Sequence, residues 1–110
     1  FMNLNQYLPL TEASYYILLS LTQPLHGYGI MQNVKSLSNE RVNLAPGTLY
    51  GALDNLKKQK LIELLEDEGD SRRKVYTLTG LGRQVIELEY QRLQHLVAIS
   101  AAVLQGDATK

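Results

Sequence analysis

Three clusters in this chain carry side chains whose type and spacing suit contact with a polyanion. The first is Pro46-Gly47-Thr48-Leu49-Tyr50-Gly51, where small residues, a hydroxyl and a phenol follow a proline. The second is Lys57-Lys58, and the third is Arg72-Arg73-Lys74, directly after the acidic Glu66-Asp67-Glu68-Gly69-Asp70. Proline fits a first helical turn because its missing N–H would have no intrahelical partner there. A helix start that presents Pro46, Gly47, Thr48 and Tyr50 lets its backbone approach closely, and its N-terminus favours an anion. The Thr48 hydroxyl can bond a base or a phosphate, and its methyl can meet a thymine methyl. The Tyr50 hydroxyl reaches a phosphate. Lys57 and Lys58 lie further along and fall beside a nucleic-acid backbone rather than in a groove. Arg72, Arg73 and Lys74 supply charge for phosphates or a narrow minor groove. Asp67, Glu68 and Asp70 stand beside them, placed to orient the arginines or to hold nonspecific affinity down. Tyr76 alternates with Val75 and Thr77 and is as suited to packing as to touching DNA.

Two plainer readings compete. Thr48 and Tyr50 could be ordinary exposed helix residues, and the basic run could be a solvated strand edge that blocks aggregation. Enzyme chemistry has no comparable footing. There is no phosphate-cradling glycine loop after a strand, no Ser-His-Asp spacing and no zinc-helix motif. The absence of cysteine removes disulfides, thiolate nucleophiles and thiolate metal sites together, and His26 and His95 are too far apart to suggest a metal. No cofactor is expected. Net charge is zero, so the bases act as local patches. No apolar run is long enough to span a bilayer. Residues 1–5 lack a basic region followed by an apolar core, so no secretory signal is expected and a cytoplasmic location follows. Phe1, ahead of Met2, is set aside from function.

The elements that must position these clusters follow from periodicity. Residues 1–10 have no clean period and read as an arm. Thr11 caps a helix, with Glu12 well placed against its dipole. Ala13, Tyr16, Ile17, Ser20 and Leu21 share one face, widened by Leu18 and Leu19, so this helix is buried on more than one side. Gln23 to Gly27 break it. A second helix runs from near Gly27 to about Leu37 on an Ile30, Met31, Val34, Leu37 stripe, with His26 structural at its start. Ser38-Asn39-Glu40 is a turn, and residues 41–44 read as a brief extended piece. The third helix carries Leu49, Leu53 and Leu56 toward the core. A strand at Leu61-Ile62, a turn-rich tip and a returning strand over 75–78 complete a hairpin. The fold class is mainly α with a small β-hairpin: a winged helix-turn-helix over 11–78.

Thr79 then caps a last helix over about 81–104, about 36 Å long at ~1.5 Å per residue. One apolar stripe is Ile86, Tyr90, Leu93, Val97, Ala101 and Leu104. Another is Val85, Leu88, Leu96, Ile99 and Val103, interrupted by Arg92. A helix apolar almost all round must be buried, and the simplest cover is a second copy. Residues 79–110 are therefore a dimerisation helix and tail, with Ile86, Tyr90, Leu93, Leu96, Val97, Ile99, Val103 and Leu104 as the seam of a two-fold homodimer.

Several of these stretches together resemble the PadR family of transcriptional regulators. They are His26-Gly27-Tyr28-Gly29-Ile30, Gly47-Thr48-Leu49-Tyr50 with Leu53 and Leu56, Leu61-Ile62, Arg72-Arg73-Lys74-Val75-Tyr76-Thr77-Leu78-Thr79, and Gly82. The likeness covers residues 10–83. It departs at Lys60, where the family commonly has glycine at the end of the recognition helix. The resemblance implies a dimeric winged-helix protein that binds a double-stranded DNA operator. It also implies, usually, a repressor that releases DNA when a small aromatic or drug-like molecule binds at or near the dimer interface. The aromatic candidates for that site are Tyr7, Tyr15, Tyr16 and Tyr90. Some relatives sandwich flat drugs between tryptophans, and this chain has none. The alternative function is a winged helix that dimerises and engages another protein without reading DNA.

Overall fold

The computed structural model describes residues 3–66 and 74–106. Its elements are a short 3-10 helix (Leu4–Tyr7), α1 (Glu12–Ser20), β1 (Leu25–His26), α2 (Gly27–Leu37), α3 (Pro46–Lys58), β2 (Ile62–Glu66), β3 (Val75–Leu78) and α4 (Gly80–Gly106). Each helix start has a local cause. The Thr11 hydroxyl accepts the Ser14 N–H at 3.0 Å, the His26 Nδ1 accepts the Gly29 N–H at 3.1 Å, and the Thr79 hydroxyl accepts the Gly82 N–H at 3.0 Å. Each satisfies an N–H that the first turn leaves without an intrahelical partner. The turn between α2 and α3 is built on the buried Ser38, whose hydroxyl accepts the Val42 N–H at 2.9 Å. Asn39 and Glu40 there take positive φ values of 53° and 65°.

The three strands form one antiparallel sheet in the order β1-β3-β2. Leu25 faces Tyr76 and Ile62 faces Leu78, and the register of β2 on β3 shifts between Leu64 and Glu66. The two-residue β1 was not expected from the sequence; residues 23–27 read there only as a helix break. It is a strand because β3 pairs with it, a cause outside the segment itself. The extended piece expected over 41–44 forms no strand.

One core joins these elements. Ile17, Leu18 and Leu21 of α1, Ile30 and Val34 of α2, and Leu49, Leu53 and Leu56 of α3 are buried with Leu61, Ile62, Tyr76, Val85 and Ile86. Leu37, which belongs to the α2 stripe by spacing, is instead 48% exposed as the last residue of α2. Gly82 is buried where α4 meets the end of α3: a Cβ there would collide with the Leu61 carbonyl oxygen and lie 2.8 Å from Leu78 Cδ1.

The N-terminal residues are not a loose arm. Leu4, Tyr7, Leu8 and Leu10 are partly buried against the core, and the 3-10 helix packs on α4. The Leu10 N–H donates to Glu89 Oε2 at 2.9 Å. Past its first ten residues α4 leaves this body. From Gln94 to Ser100 every residue is exposed, including Leu96, Val97 and Ile99, and Val103 and Leu104 follow them. No helix among the described residues is long and apolar enough to cross a membrane.

Candidate nucleic-acid interface

The site is the outer face of α3. Its inner face is fixed by Leu49, Leu53 and Leu56, all at most 2% exposed. That leaves Pro46, Gly47, Thr48, Tyr50 and Gly51 outward. Ala45 stands at the N-cap and makes no side-chain capping bond, so the N-cap residue leaves the N–H groups of the first turn uncapped. A Cβ built at Gly47 or Gly51 would have nothing within 4 Å. Neither glycine is therefore required by packing, although each costs helix stability. The surface they leave is open at these two positions and able to accept a close approach.

Tyr50 is 43% exposed, and its ring is seated on the start of α2. A Cβ at Gly27 would collide with the Tyr50 hydroxyl and lie 2.8 Å from Cζ. The pairing explains why Gly27 opens α2, and it makes the starts of α2 and α3 one continuous surface. Tyr28, next in the chain, is 66% exposed. Gly27 is not legible in the sequence as part of this surface, and only the meeting of the two helices reveals it.

The other predicted contact residues divide. Lys57 and Lys58 are exposed in the last turn of α3. They lie about 17 Å along the axis from Pro46 at ~1.5 Å per residue, so they stand at the opposite end of the helix from Gly47 and Thr48. Lys74 is half-buried where β3 begins. Tyr76 is corrected: it is 6% exposed, in the central strand between Leu25 and Leu64, and belongs to the core. Arg72 and Arg73, with the acids Asp67, Glu68 and Asp70, lie outside the described residues.

Of the predicted seam residues, Ile86 is also corrected. It is 8% exposed and packs in the chain's own core, because α4 runs through that core before it projects. Tyr90, Leu96, Val97, Ile99, Val103 and Leu104 are 45–78% exposed, and Leu93 is half-buried.

Of the tyrosines named for an effector, Tyr15 lies near Glu89 and Tyr90 at the root of α4, Tyr7 belongs to the 3-10 helix that packs on α4, and Tyr16 lies near Arg41 instead. Tyr7, Tyr15 and Tyr16 are half-buried against the core, and Tyr90 is 54% exposed. Burial, then the charge of Glu89 and the nearness of Tyr90, holds the Tyr15 phenol above its ordinary range. Glu89 itself escaped the sequence reading. It is 1% exposed, takes the Arg92 Nε at 2.5 Å and Nη2 at 3.0 Å, and accepts the Leu10 N–H. Arg92's hydrogen bond does most to hold its carboxyl below the usual range, against the opposing effect of burial. Its signal was present as a carboxylate on a buried face with arginine three residues on. No group of three or more His, Cys, Asp and Glu residues among those described could hold a metal.

The fold and the sequence agree with known proteins. Residues 17–88 match the family model described as "Transcriptional regulator PadR-like family". An uncharacterized 37.1 kDa protein of transposon TN4556 from Streptomyces fradiae is 37% identical over 86 residues, which are 77% of this chain and 24% of that protein. Transcriptional regulator YqjI of Escherichia coli is 32% identical over 69 residues, 63% of this chain and 32% of that one. The chain thus spans about a quarter and about a third of the length of these two relatives. The crystal structure of a PadR family transcription regulator from Clostridium difficile superposes with a TM-score of 0.70 at 26% identity, over 86% of this chain and 99% of that one. With this match over residues 17–88, the chain belongs to the PadR-like family of transcriptional regulators.

Proposed function

We propose that this chain is a homodimeric DNA-binding repressor that inserts the start of α3 into the major groove and is released by a small aromatic effector. The observation that carries the reading is the outer face of α3, where two glycines with open space around them flank exposed Thr48 and Tyr50. Glycines that no packing requires suit a helix that something broad must approach. Lys57 and Lys58, exposed on the same helix, supply charge for the nucleic-acid backbone, and the sequence adds the basic run Arg72-Arg73-Lys74. The projecting half of α4 supports the dimer: Leu96, Val97, Ile99, Val103 and Leu104 form an apolar surface that a second α4 would cover. The root of α4, with Tyr7, Tyr15 and Tyr90, is the place for an effector, since a ligand there touches the helix on which the partner would pack.

The test is binding of the purified chain to DNA from upstream of its own gene at two salt concentrations, beside an Arg72→Ala/Arg73→Ala variant. Sequence-preferring binding that falls steeply with salt and is lost by the variant is expected. Absence of preference over random DNA, with the variant unchanged, sinks the reading and favours a protein-interaction module. Val97→Glu tests the dimer in the same preparation, with a shift to monomer in sedimentation expected. Release of the bound DNA by small aromatic compounds tests the effector.

A further inference from the structure

The end of α3 and the start of α4 are joined by a compact set of bonds centred on Thr79. The Thr79 hydroxyl donates to the Lys60 carbonyl at 2.7 Å and accepts the Gly82 N–H at 3.0 Å. The Thr79 N–H donates to the Leu61 carbonyl at 3.1 Å. On the other side of the joint, the Lys60 N–H returns to the Lys57 carbonyl at 2.9 Å and the Leu61 N–H to the Leu56 carbonyl at 3.1 Å. These two bonds, with Lys60 at a φ of 65°, close α3 in a Schellman end. Gly82 presses its bare Cα against the Leu61 carbonyl. A single β-branched side chain, stiff about χ1, thus caps α4 and holds the last residues of α3 in the same two bonds.

We infer that Thr79 is a positioning residue that fixes the angle of the recognition helix to the dimerisation helix and so sets the spacing of the DNA half-sites the dimer accepts. The inference rests on the DNA-binding dimer proposed above. The lever arm decides its importance. α3 has 13 residues, about 20 Å at ~1.5 Å per residue, and its reading end is the one far from the joint. A rotation of about 10° at Lys60 moves Pro46 and Thr48 by roughly 3.4 Å, the rise of one base-pair step. In a two-fold dimer that reads half-sites about one helical turn apart, both ends shift together. A loose joint would therefore accept neighbouring spacings that a rigid joint refuses.

The test uses Thr79→Val, which keeps the shape and removes both hydroxyl bonds, and Thr79→Ser, which keeps both bonds. Thr11→Ala is the control, since it removes a helix cap of the same kind away from the joint. The chain has no cysteine, so spin labels at Asp54→Cys on α3 and Gln94→Cys on α4, diluted with unlabelled chain, report the angle directly. A narrow distance distribution is expected in the parent, Thr79→Ser and Thr11→Ala, and a broad one in Thr79→Val. Duplexes selected by the parent from random sequence are then altered by one base pair between half-sites. The parent's preference for its own spacing should fall about tenfold in Thr79→Val and persist in the other two. A narrow distribution in Thr79→Val overturns the positioning role, and a broad one with the parent's spacing preference overturns the role in specificity. If the parent selects no DNA, the proposed function fails, while the label distances still decide whether Thr79 fixes the angle.

Discussion

The Leu10 N–H and the Glu89 carboxylate, 79 positions apart, form a hydrogen bond of 2.9 Å that ties the N-terminal segment to the root of α4. Glu89 is 1% exposed and its other bonds go to Arg92, whose side chain is 37% exposed. A buried carboxylate is retained only when its acceptor capacity is filled, and here one guanidinium and one backbone N–H fill it. The bond therefore holds the N-terminal segment against the helix that carries the apolar surface.

Removing Glu89 should cost stability in a pH-dependent way. Glu89→Ala strands the Leu10 N–H, while water can still reach Arg92, so the expected loss at pH 7 is about 2 kcal/mol. Because the folded carboxyl titrates below its ordinary 4.5, Glu89's contribution is complete above that value. It is lost as pH falls through the lower, folded value. Urea unfolding at pH 7, 4.5 and 3 should show the parent weakening across the acid range and Glu89→Gln weakening less.

Lys60→Gly should stabilise the chain. Lys60 holds a φ of 65° at the close of α3, a conformation that costs an L-residue about 1 kcal/mol and glycine little. The helix end did not shift to avoid that cost, as the Lys60 and Leu61 N–H bonds are both formed. A rise in thermal midpoint of roughly 4 °C is the expected outcome.

Gly51→Ala should separate stability from binding. A Cβ there meets nothing, and alanine gains about 1 kcal/mol over glycine inside a helix. The melting temperature should rise while affinity for operator DNA falls. An unchanged affinity would mean that Gly51 does not face DNA.

Gly27→Ala should displace Tyr50. The new Cβ collides with the Tyr50 hydroxyl and ring, and because Tyr50 is 43% exposed the ring can swing outward. The stability cost should stay near 1 kcal/mol or below, and DNA affinity should fall about fivefold, roughly 1 kcal/mol. In a double-mutant cycle with Tyr50→Ala the two losses should not add, since both remove one arrangement.

Much of this protein is determined by sequence alone, because its causes are local. Thr11 and Thr79 cap the helices they precede, Pro46 opens α3, and Leu49, Leu53 and Leu56 turn one stripe of α3 inward. Each follows from a side chain and its next few neighbours, and so does the outward face bearing Gly47, Thr48 and Tyr50. What the tertiary structure decided depends on residues far apart in sequence. Residues 25 and 26 are a strand only because β3 lies beside them. Tyr76 is buried because β3 is the middle strand, and Ile86 because the root of α4 is enclosed by the domain it leaves. Gly27 is needed because Tyr50 arrives from another helix, and Glu89 can be buried because Leu10 comes back to meet it. Periodicity identifies an apolar face, but the choice between covering it within the chain and leaving it for another molecule is made by what packs alongside.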